Sequence, residues 1–305
     1  MNIFNKRNTL NENIAYMGIM CAINVIFVLM STLLPILLFL LVFILPLTSA
    51  IVTLLCKKKY LPIYFVATIT LCMIVTIWNI SDTLLYVIPS LISGIIFGIV
   101  IEKKVNPIWT IIISTVINFG ITFAVIPLIN LVLDININET ILAVINLNDF
   151  TYKSELVISF IFVISLVQQV LSFLVVKEEL PKIGITSNYN DSNNIILYVV
   201  SLVSFALTLL FSFIYSPLAF FLFFINVYFV IHILYKLLIN KNLFIIIGLI
   251  ASLFIVIFMF GILFQFIPNP CGILLISLYG FLTTIIALIN NQLSKTKEKD
   301  RIINK

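Results

Sequence analysis

The sequence predicts an all-α fold: a polytopic integral membrane helical bundle of about ten transmembrane helices with both termini cytoplasmic. Three observations predict it. Hydrophobic residues make up 62% of the 305 residues and charged residues only 10%, whereas a soluble domain carries roughly a quarter charged residues to cover its surface. The apolar residues are gathered into runs of about 20, the length of helix that crosses a hydrocarbon core about 30 Å thick. Lys and Arg fall in small clusters between the runs, as the positive-inside rule asks of cytoplasmic loops.

The first run, 14–34, is too long for the core of a signal peptide and lacks a small-residue cleavage site, so it reads as the first span. The others are 36–55, 60–80, 83–101, 108–133, 156–176, 195–215, 218–238, 243–267 and 273–290. The stretches 14–55, 195–238 and 243–290 are each apolar for the length of two spans, so each needs a break. Pro35, Pro217 and the pair Pro268 and Pro270 lie near the centres of these stretches. There a missing amide and a ring clash favour a turn, and each stretch becomes a hairpin. With ten spans, sixteen of the seventeen Lys and Arg residues fall on the cytoplasmic side and only Lys153 outside. Merging any one hairpin would put lysine clusters on both sides.

Two polar segments divide the chain. The outer loop 134–155 is acidic, and within it Asn138 and Glu139 followed by 140–145 read as a capped, short amphipathic helix on the membrane surface. The segment 177–194, with Pro181, Gly184 and a run of Asn, Ser and Asp, reads as a cytoplasmic linker. The predicted organisation is therefore a six-span domain (1–176), the linker (177–194), a four-span domain (195–290) and a basic cytoplasmic tail (291–305).

Motifs argue against several chemistries. The chain has one histidine, His232, so it lacks the His-Glu-x-x-His of a zinc hydrolase. Cys21, Cys56, Cys72 and Cys271 form no close pair and no metal-ligand spacing, so neither a disulfide framework nor a metal site is expected. Neither a phosphate-binding Gly-x-x-x-x-Gly-Lys-Ser/Thr loop nor a Gly-x-Ser-x-Gly nucleophile elbow occurs. Glu178 and Glu179 follow a span and adjoin Pro181, unlike the embedded glutamates of intramembrane proteases. The net charge of +5 comes from loop clusters and not from a basic, aromatic-interleaved patch, so no nucleic-acid partner is expected. No cofactor and no catalysis are expected.

Polar residues within or beside the spans are the candidate site. No Lys, Arg, Asp or Glu lies deep in a run, which speaks against proton or ion coupling through the chain. Asp82 lies at the outer junction of the third and fourth spans beside Trp78, Asn79, Ser81 and Tyr86. These residues either form a ligand pocket or make an ordinary outer turn anchored by interfacial aromatics. Thr110, Ser114, Asn118 and Thr122 recur every fourth residue on the fifth span, as Thr68, Cys72 and Thr76 do on the third. Such stripes face protein or water, since an amide or hydroxyl left unpaired against lipid is costly. Together with Gln168, Gln169, Asn24 and Asn226 they either line a cavity or hydrogen-bond between helices. Ser201, Ser204, Thr208 and Ser212 read as packing residues. The ladder Ser90, Gly94, Gly98 is a small-x-x-x-small face suited to internal packing, and Gly18 with Ala22 makes a shorter one suited to another subunit.

The stretch 8–59 combines a basic start, a small-residue first helix, Leu34-Pro35, an apolar second helix through Leu45-Pro46 and a lysine cluster. Over residues 8–176 the chain resembles the YybS-like family of uncharacterised bacterial membrane proteins. Its fold looks related to the substrate-binding S components of energy-coupling-factor vitamin transporters. The resemblance implies a six-helix unit that holds a small molecule near the outer face and docks on a transmembrane energising module. It places Gly18 and Ala22 where those proteins carry an Ala-x-x-x-Ala docking pattern, and it carries over no vitamin-binding motif. The expected function is binding or transport of a small molecule in the bacterial cell membrane. The expected site comprises Trp78, Asn79, Asp82, Tyr86, Asn118, Thr122 and Gln168, and the partners are the lipid bilayer and a membrane-protein partner. The rival expectation is a scaffold for a cell-envelope or signalling protein, and a weaker third is an intramembrane transferase.

Overall fold

The computed structural model describes residues 6–134, 136–144, 152–185, 194–239, 243–263, 266 and 271–303, and among them every regular element is a helix. Among the described residues nine helices are long and apolar enough to cross a membrane. A tenth helix, α2 (Leu38–Leu55), is apolar as well. The chain is thus a polytopic helical membrane protein. It forms two compact units: residues 1–145 with 161–191, and residues 146–160 with 192–305.

The first unit opens with α1 (Leu10–Leu33), whose start is specified locally. Thr9 Oγ1 accepts from the Glu12 amide at 3.3 Å, and Glu12 Oε2 accepts in return from the amides of Thr9 and Asn8, a reciprocal capping box. Pro35 opens a 3-10 turn, Pro35–Leu37, that leads into α2. Then follow α3 (Leu61–Val75) and a fourth span built of α4 (Ile80–Asp82), a π-helical turn (Thr83–Val87) and α5 (Ile88–Glu102). Asn106 caps α6 (Pro107–Leu133) by accepting from the Ile108 amide, and Asp134 ends it in the left-handed region at φ +53°. At one end of the unit the Arg7 amide donates to Leu55 O at 2.8 Å and Asn13 Oδ1 accepts from the Lys57 amide at 2.7 Å. Lys58 and Lys6 both pair with Glu102 there, at 2.5 and 3.7 Å.

The closest approach in this unit is between α2 and α5. A Cβ added at Gly94 would fall 2.6 Å from Ser49 Cβ and collide with the Pro46 carbonyl oxygen, and one at Gly98 would fall 2.5 Å from Thr53 Cβ and 2.9 Å from Ala50 O. Real Cβ atoms do not come so near, so two helices meet here at backbone level. The mating face of α2 is itself small: Pro46, Ser49, Ala50 and Thr53. Around it Ala50, Val52, Tyr64, Phe97, Phe173 and Val176 are buried in one apolar cluster, with Phe97 and Phe173 in an edge contact at 5.5 Å.

Pro46 lies inside α2 and has no amide to donate to the carbonyl four residues before it, that of Val42. Ser172 Oγ on α8 (Lys153–Lys182) donates to that carbonyl at 2.8 Å. A hydroxyl from another helix therefore meets the acceptor that the proline leaves open.

Several expected boundaries move. The surface helix α7 (Ile137–Val144) begins before Asn138. Asn136 caps it instead, accepting from the Glu139 amide, while Asn130 Oδ1 accepts from that of Ile137. Helix α8 continues past Val176 through Pro181 to Lys182, because Val176 and Leu180 are still fully buried and Lys182 pairs with Glu179 at 2.6 Å. The first part of the expected linker is therefore helix, and residues 186–193 of it lie outside the described residues, as do Pro268 and Pro270.

In the second unit α9 (Asn194–Ile214) and α10 (Ser216–Ile239) are joined by Tyr215 alone, with Pro217 in the first turn of α10. The unit also contains α11 (Leu243–Leu263) and α12 (Ser277–Ile303). Asn226 Nδ2 donates to Ser201 O and Ser204 Oγ at 2.8 and 3.0 Å, and Ser201 meets Thr284 at 3.2 Å. Gly280 on α12 admits α10, since a Cβ there would fall 2.6 Å from Val230 and 2.8 Å from Asn226 Oδ1.

Because the α2–α5 contact has no room for a side chain, Gly94→Leu and Gly98→Leu are each expected to destabilise the protein by about 3 kcal/mol or more. Ile95→Leu and Ile96→Leu on the same helix should cost less than about 1.5. Melting temperatures of the four variants in detergent check this, and equal values across the set would contradict it.

Candidate functional site

The sequence-predicted residues separate into two places within the first unit. Trp78, Asn79 and Asp82 line a cavity of about 310 Å³ together with Ser31 and Thr32 at the end of α1, Leu38 of α2, and Val75 and Thr76 of α3. The turn that carries it is held by its own side chains. Asn79 Nδ2 donates to Asp82 Oδ2 at 2.7 Å, Ser81 Oγ donates to Asn79 Oδ1 at 2.6 Å, and the hydroxyls of Thr76 and Thr83 meet at 2.6 Å. Asp82 is half-buried, while Trp78 is 98% exposed and borders the cavity with its indole clear of the protein surface. The helix that follows opens with the π-helical turn Thr83–Val87, a geometry that inserts a residue into a helix and recurs at functional sites. Tyr86 is on that turn, exposed and not part of the lining.

The cavity is lined by one carboxylate, by three hydroxyl residues that donate to the carbonyls of Val28, Leu29 and Cys72, by the Asn79 amide already bonded to Asp82 and Ser81, and by the apolar side chains of Leu38 and Val75. Ligand pockets have this composition, a mainly apolar wall with a few convergent polar groups, and their volumes begin near 300 Å³.

The second place is an internal seam. Asn118 on α6 is buried and donates from Nδ2 to Gln168 Oε1 at 3.3 Å, and Gln168 Nε2 reaches Ser90 Oγ at 3.5 Å. Thr122 is half-buried one turn further along the same helix. Most hydroxyls of the two polar stripes turn back on their own helices: Thr68 donates to Tyr64 O, Thr76 to Cys72 O, Thr110 to Asn106 O and Ser114 to Ile111 O. The stripes face protein, but among their residues only Asn118 and Thr76 bond a side chain of a different helical element.

Asn24, one of the amides singled out in the sequence, bonds to groups that the sequence reading missed. Asn24 Nδ2 donates to Tyr64 Oη at 2.8 Å, Thr48 Oγ1 donates to Asn24 Oδ1 at 2.6 Å, and Ser49 meets Tyr64 Oη at 3.3 Å. All four residues are buried, and the network ties α1, α2 and α3 together. Tyr64 was legible, since it continues the stripe of Thr68, Cys72 and Thr76 by one turn. Thr48 and Ser49 sit in an apolar helix with no period to mark them. In the second unit Glu155 is buried and accepts from Ser154 and Ser216 at 2.7 and 2.5 Å. Among the described residues no group of three or more His, Cys, Asp or Glu is placed to hold a metal ion.

Gly18 and Ala22 are exposed on α1. A Cβ at Gly18 would meet nothing within 4 Å, and Gly18 borders an apolar groove of about 220 Å³ between α1 and α3. This small face is thus open, in contrast with the filled one at Gly94 and Gly98.

A family model described as predicted membrane protein (DUF2232) matches residues 22–151, from within α1 to beyond α7. No curated protein and no solved structure matches the chain.

Gln169 differs from its neighbour Gln168: it is fully buried, and neither its amide nitrogen nor its oxygen has a partner within the protein. Such a group costs about 1–3 kcal/mol, and an apolar side chain of like shape removes that cost. Gln169→Leu is therefore expected to melt at or above the parent temperature, whereas Asn24→Leu, which removes one buried partner each from Thr48 and Tyr64, should lose about 1–3 kcal/mol. A fall of several degrees for Gln169→Leu would show that its amide is satisfied in the folded protein.

Proposed function

We propose that the first unit binds a small molecule carrying an amine or several hydrogen-bond donors at the Asp82 cavity, as the recognition part of a transport process in the bacterial cell membrane. It performs no catalysis of its own. The observation that carries this reading is the cavity itself: the half-buried Asp82 borders about 310 Å³ of space together with Ser31, Thr32 and Thr76, whose hydroxyls donate to their own backbone turns and so keep only acceptor lone pairs for a ligand. Its volume suits a metabolite of vitamin size and not a peptide or a lipid. One carboxylate among uncharged groups favours a cationic ligand, because a charge-assisted hydrogen bond is about twice as strong as a neutral one.

The charge pattern puts this cavity at the outer end of the spans, opposite the lysine clusters. That is where the resemblance to the S components of energy-coupling-factor transporters implies a binding site. Those components draw energy from a partner, and the absence of a phosphate-binding loop from this sequence agrees with such an arrangement. The Asn118–Gln168 seam is assigned to helix packing next to the site and not to direct ligand contact.

A scaffold role is the second reading, favoured by the open face at Gly18 and Ala22. In the transport reading the same face receives the energising partner.

The chain has two tryptophans, Trp78 and Trp109. In a Trp109→Phe background Trp78, at the border of the cavity, is the one remaining tryptophan. Titration of the purified protein with amine-bearing metabolites is expected to give a saturable change, and Asp82→Asn should weaken it about tenfold or more, the loss of one charge-assisted bond. No saturable ligand, together with a stoichiometric protein partner lost on Gly18→Leu, would replace this reading with the scaffold.

A further inference from the structure

The second unit holds a cavity of different chemistry. It measures about 340 Å³ and lies where the start of α9, the last turns of α10 and the middle of α12 meet. Its polar lining is Asn194, Tyr198, Lys236, Asn290 and Asn291, and it contains no acidic residue. Lys236 Nζ donates to Asn194 Oδ1 at 2.7 Å, which fixes the ammonium at the cavity wall. Lys236, Asn290 and Asn291 are each half-buried, so their polar ends are only partly hydrated.

An ammonium and three carboxamides, all N–H donor groups, suit an anion with several acceptor oxygens. A cation would have to approach the lysine. The first-turn amides of α9 lie at the same end, and a helix N-terminus adds to the positive field there. Past the cavity α12 runs on to Ile303 with Lys295, Lys297, Lys299 and Arg301 in its sequence against Glu298 and Asp300, a further excess of positive charge.

The apolar surroundings narrow the class. Leu237 and Ile239 complete the lining, and Ile195, Leu238 and Ile289 nearby are each 44–52% exposed. Polar groups that gather beside exposed aliphatic side chains at the end of spanning helices stand at the level of lipid headgroups.

We infer that this cavity is a phosphate-binding site at the cytoplasmic end of the second unit, filled by the phosphate of an anionic phospholipid or of a soluble phosphate compound. It is separate from the Asp82 cavity and does not depend on what that cavity binds. Lys236 supplies the charge, the three asparagines orient the oxygens, and the exposed aliphatic residues receive acyl chains where the source is a lipid.

The experiment uses the full chain purified in a phosphate-free sugar detergent. Phosphatidylglycerol and inorganic phosphate are added separately, with melting temperature and native mass spectrometry as readouts. Phosphatidylglycerol is expected to raise the melting temperature and to remain bound at one molecule per chain. Retention should weaken about tenfold in Lys236→Gln, as expected for loss of one charge-assisted contact, and persist in Lys236→Arg. Lys182→Gln, a lysine of the first unit, serves as the control for general charge loss and should behave as the parent. A shift with inorganic phosphate that is equally sensitive to Lys236, without lipid retention, identifies the soluble source. Should Lys236→Gln unfold, Asn291→Leu, which keeps the charge, carries the same comparison. No shift with either compound, or shifts undiminished in both Lys236→Gln and Asn291→Leu, would overturn the assignment.

Discussion

In the first unit α2 and α5 touch through their backbones, and the other contacts are arranged around that approach. Lipid tails are as apolar as leucine, so membrane helices gain nothing by hiding apolar side chains from them and must rely on close packing and hydrogen bonds. Gly94 and Gly98 on one side, and Pro46, Ser49, Ala50 and Thr53 on the other, bring the helices near enough for that. The approach has consequences on both flanks of α2. Thr48 and Ser49 are carried to Asn24 and Tyr64, closing a network that joins three helices. Pro46 leaves the Val42 carbonyl without its helical donor, and Ser172 of α8 supplies one. A helix with a proline and four small residues would be a poor helix alone, and here each departure is matched by a neighbour.

Much of this architecture was legible because it is written in features with strong physical consequences. Apolar runs, prolines at hairpin turns and the Ser90, Gly94, Gly98 ladder each admit few structural readings. The mating face of α2 was less visible: Thr48, Ser49 and Ala50 stand together, without the fourth-residue spacing that marks a stripe. The end of α8 was hidden for another reason. Lys177, Glu178 and Glu179 mark where the chain meets polar surroundings, but a helix does not stop there while Val176 and Leu180 are buried. For α7 the competing caps Asn136 and Asn138 are identical residues two apart, and only the hydrogen bonds choose between them.

The candidate site was legible in part, because polar stripes do not say whether they pack or bind. Thr68, Thr110 and Ser114 donate to carbonyls of their own helices, a use that sequence periodicity cannot distinguish from lining a cavity. Asn118 and Gln168 bond each other across two helices. The residues near Asp82 differ in position. Asn79 and Ser81 hold the turn, and Ser31, Thr32 and Thr76 also donate to carbonyls three or four residues back, but these residues and the carboxylate border open volume. Ser31 and Thr32 are distant in sequence and are brought there by the end of α1. A hydroxyl that donates internally keeps its oxygen lone pairs, and beside open space these can exchange water for a ligand. The open volume, and not the count or the pairing of polar residues, separates the cavity from the seam.

In the proposed reading the first unit has two unlike ends, a basic one where Lys6 and Lys58 pair with Glu102 and a ligand-accepting one at Asp82, on opposite sides of the membrane. Site-directed labelling tests it most directly. In a full chain whose native cysteines are replaced, Asn79→Cys and Lys58→Cys are exposed in turn to a membrane-impermeant maleimide, in intact and in permeabilised cells. The account predicts that position 79 reacts in intact cells and position 58 only after permeabilisation. Labelling of position 58 from outside, or of both positions from the same side, would contradict it.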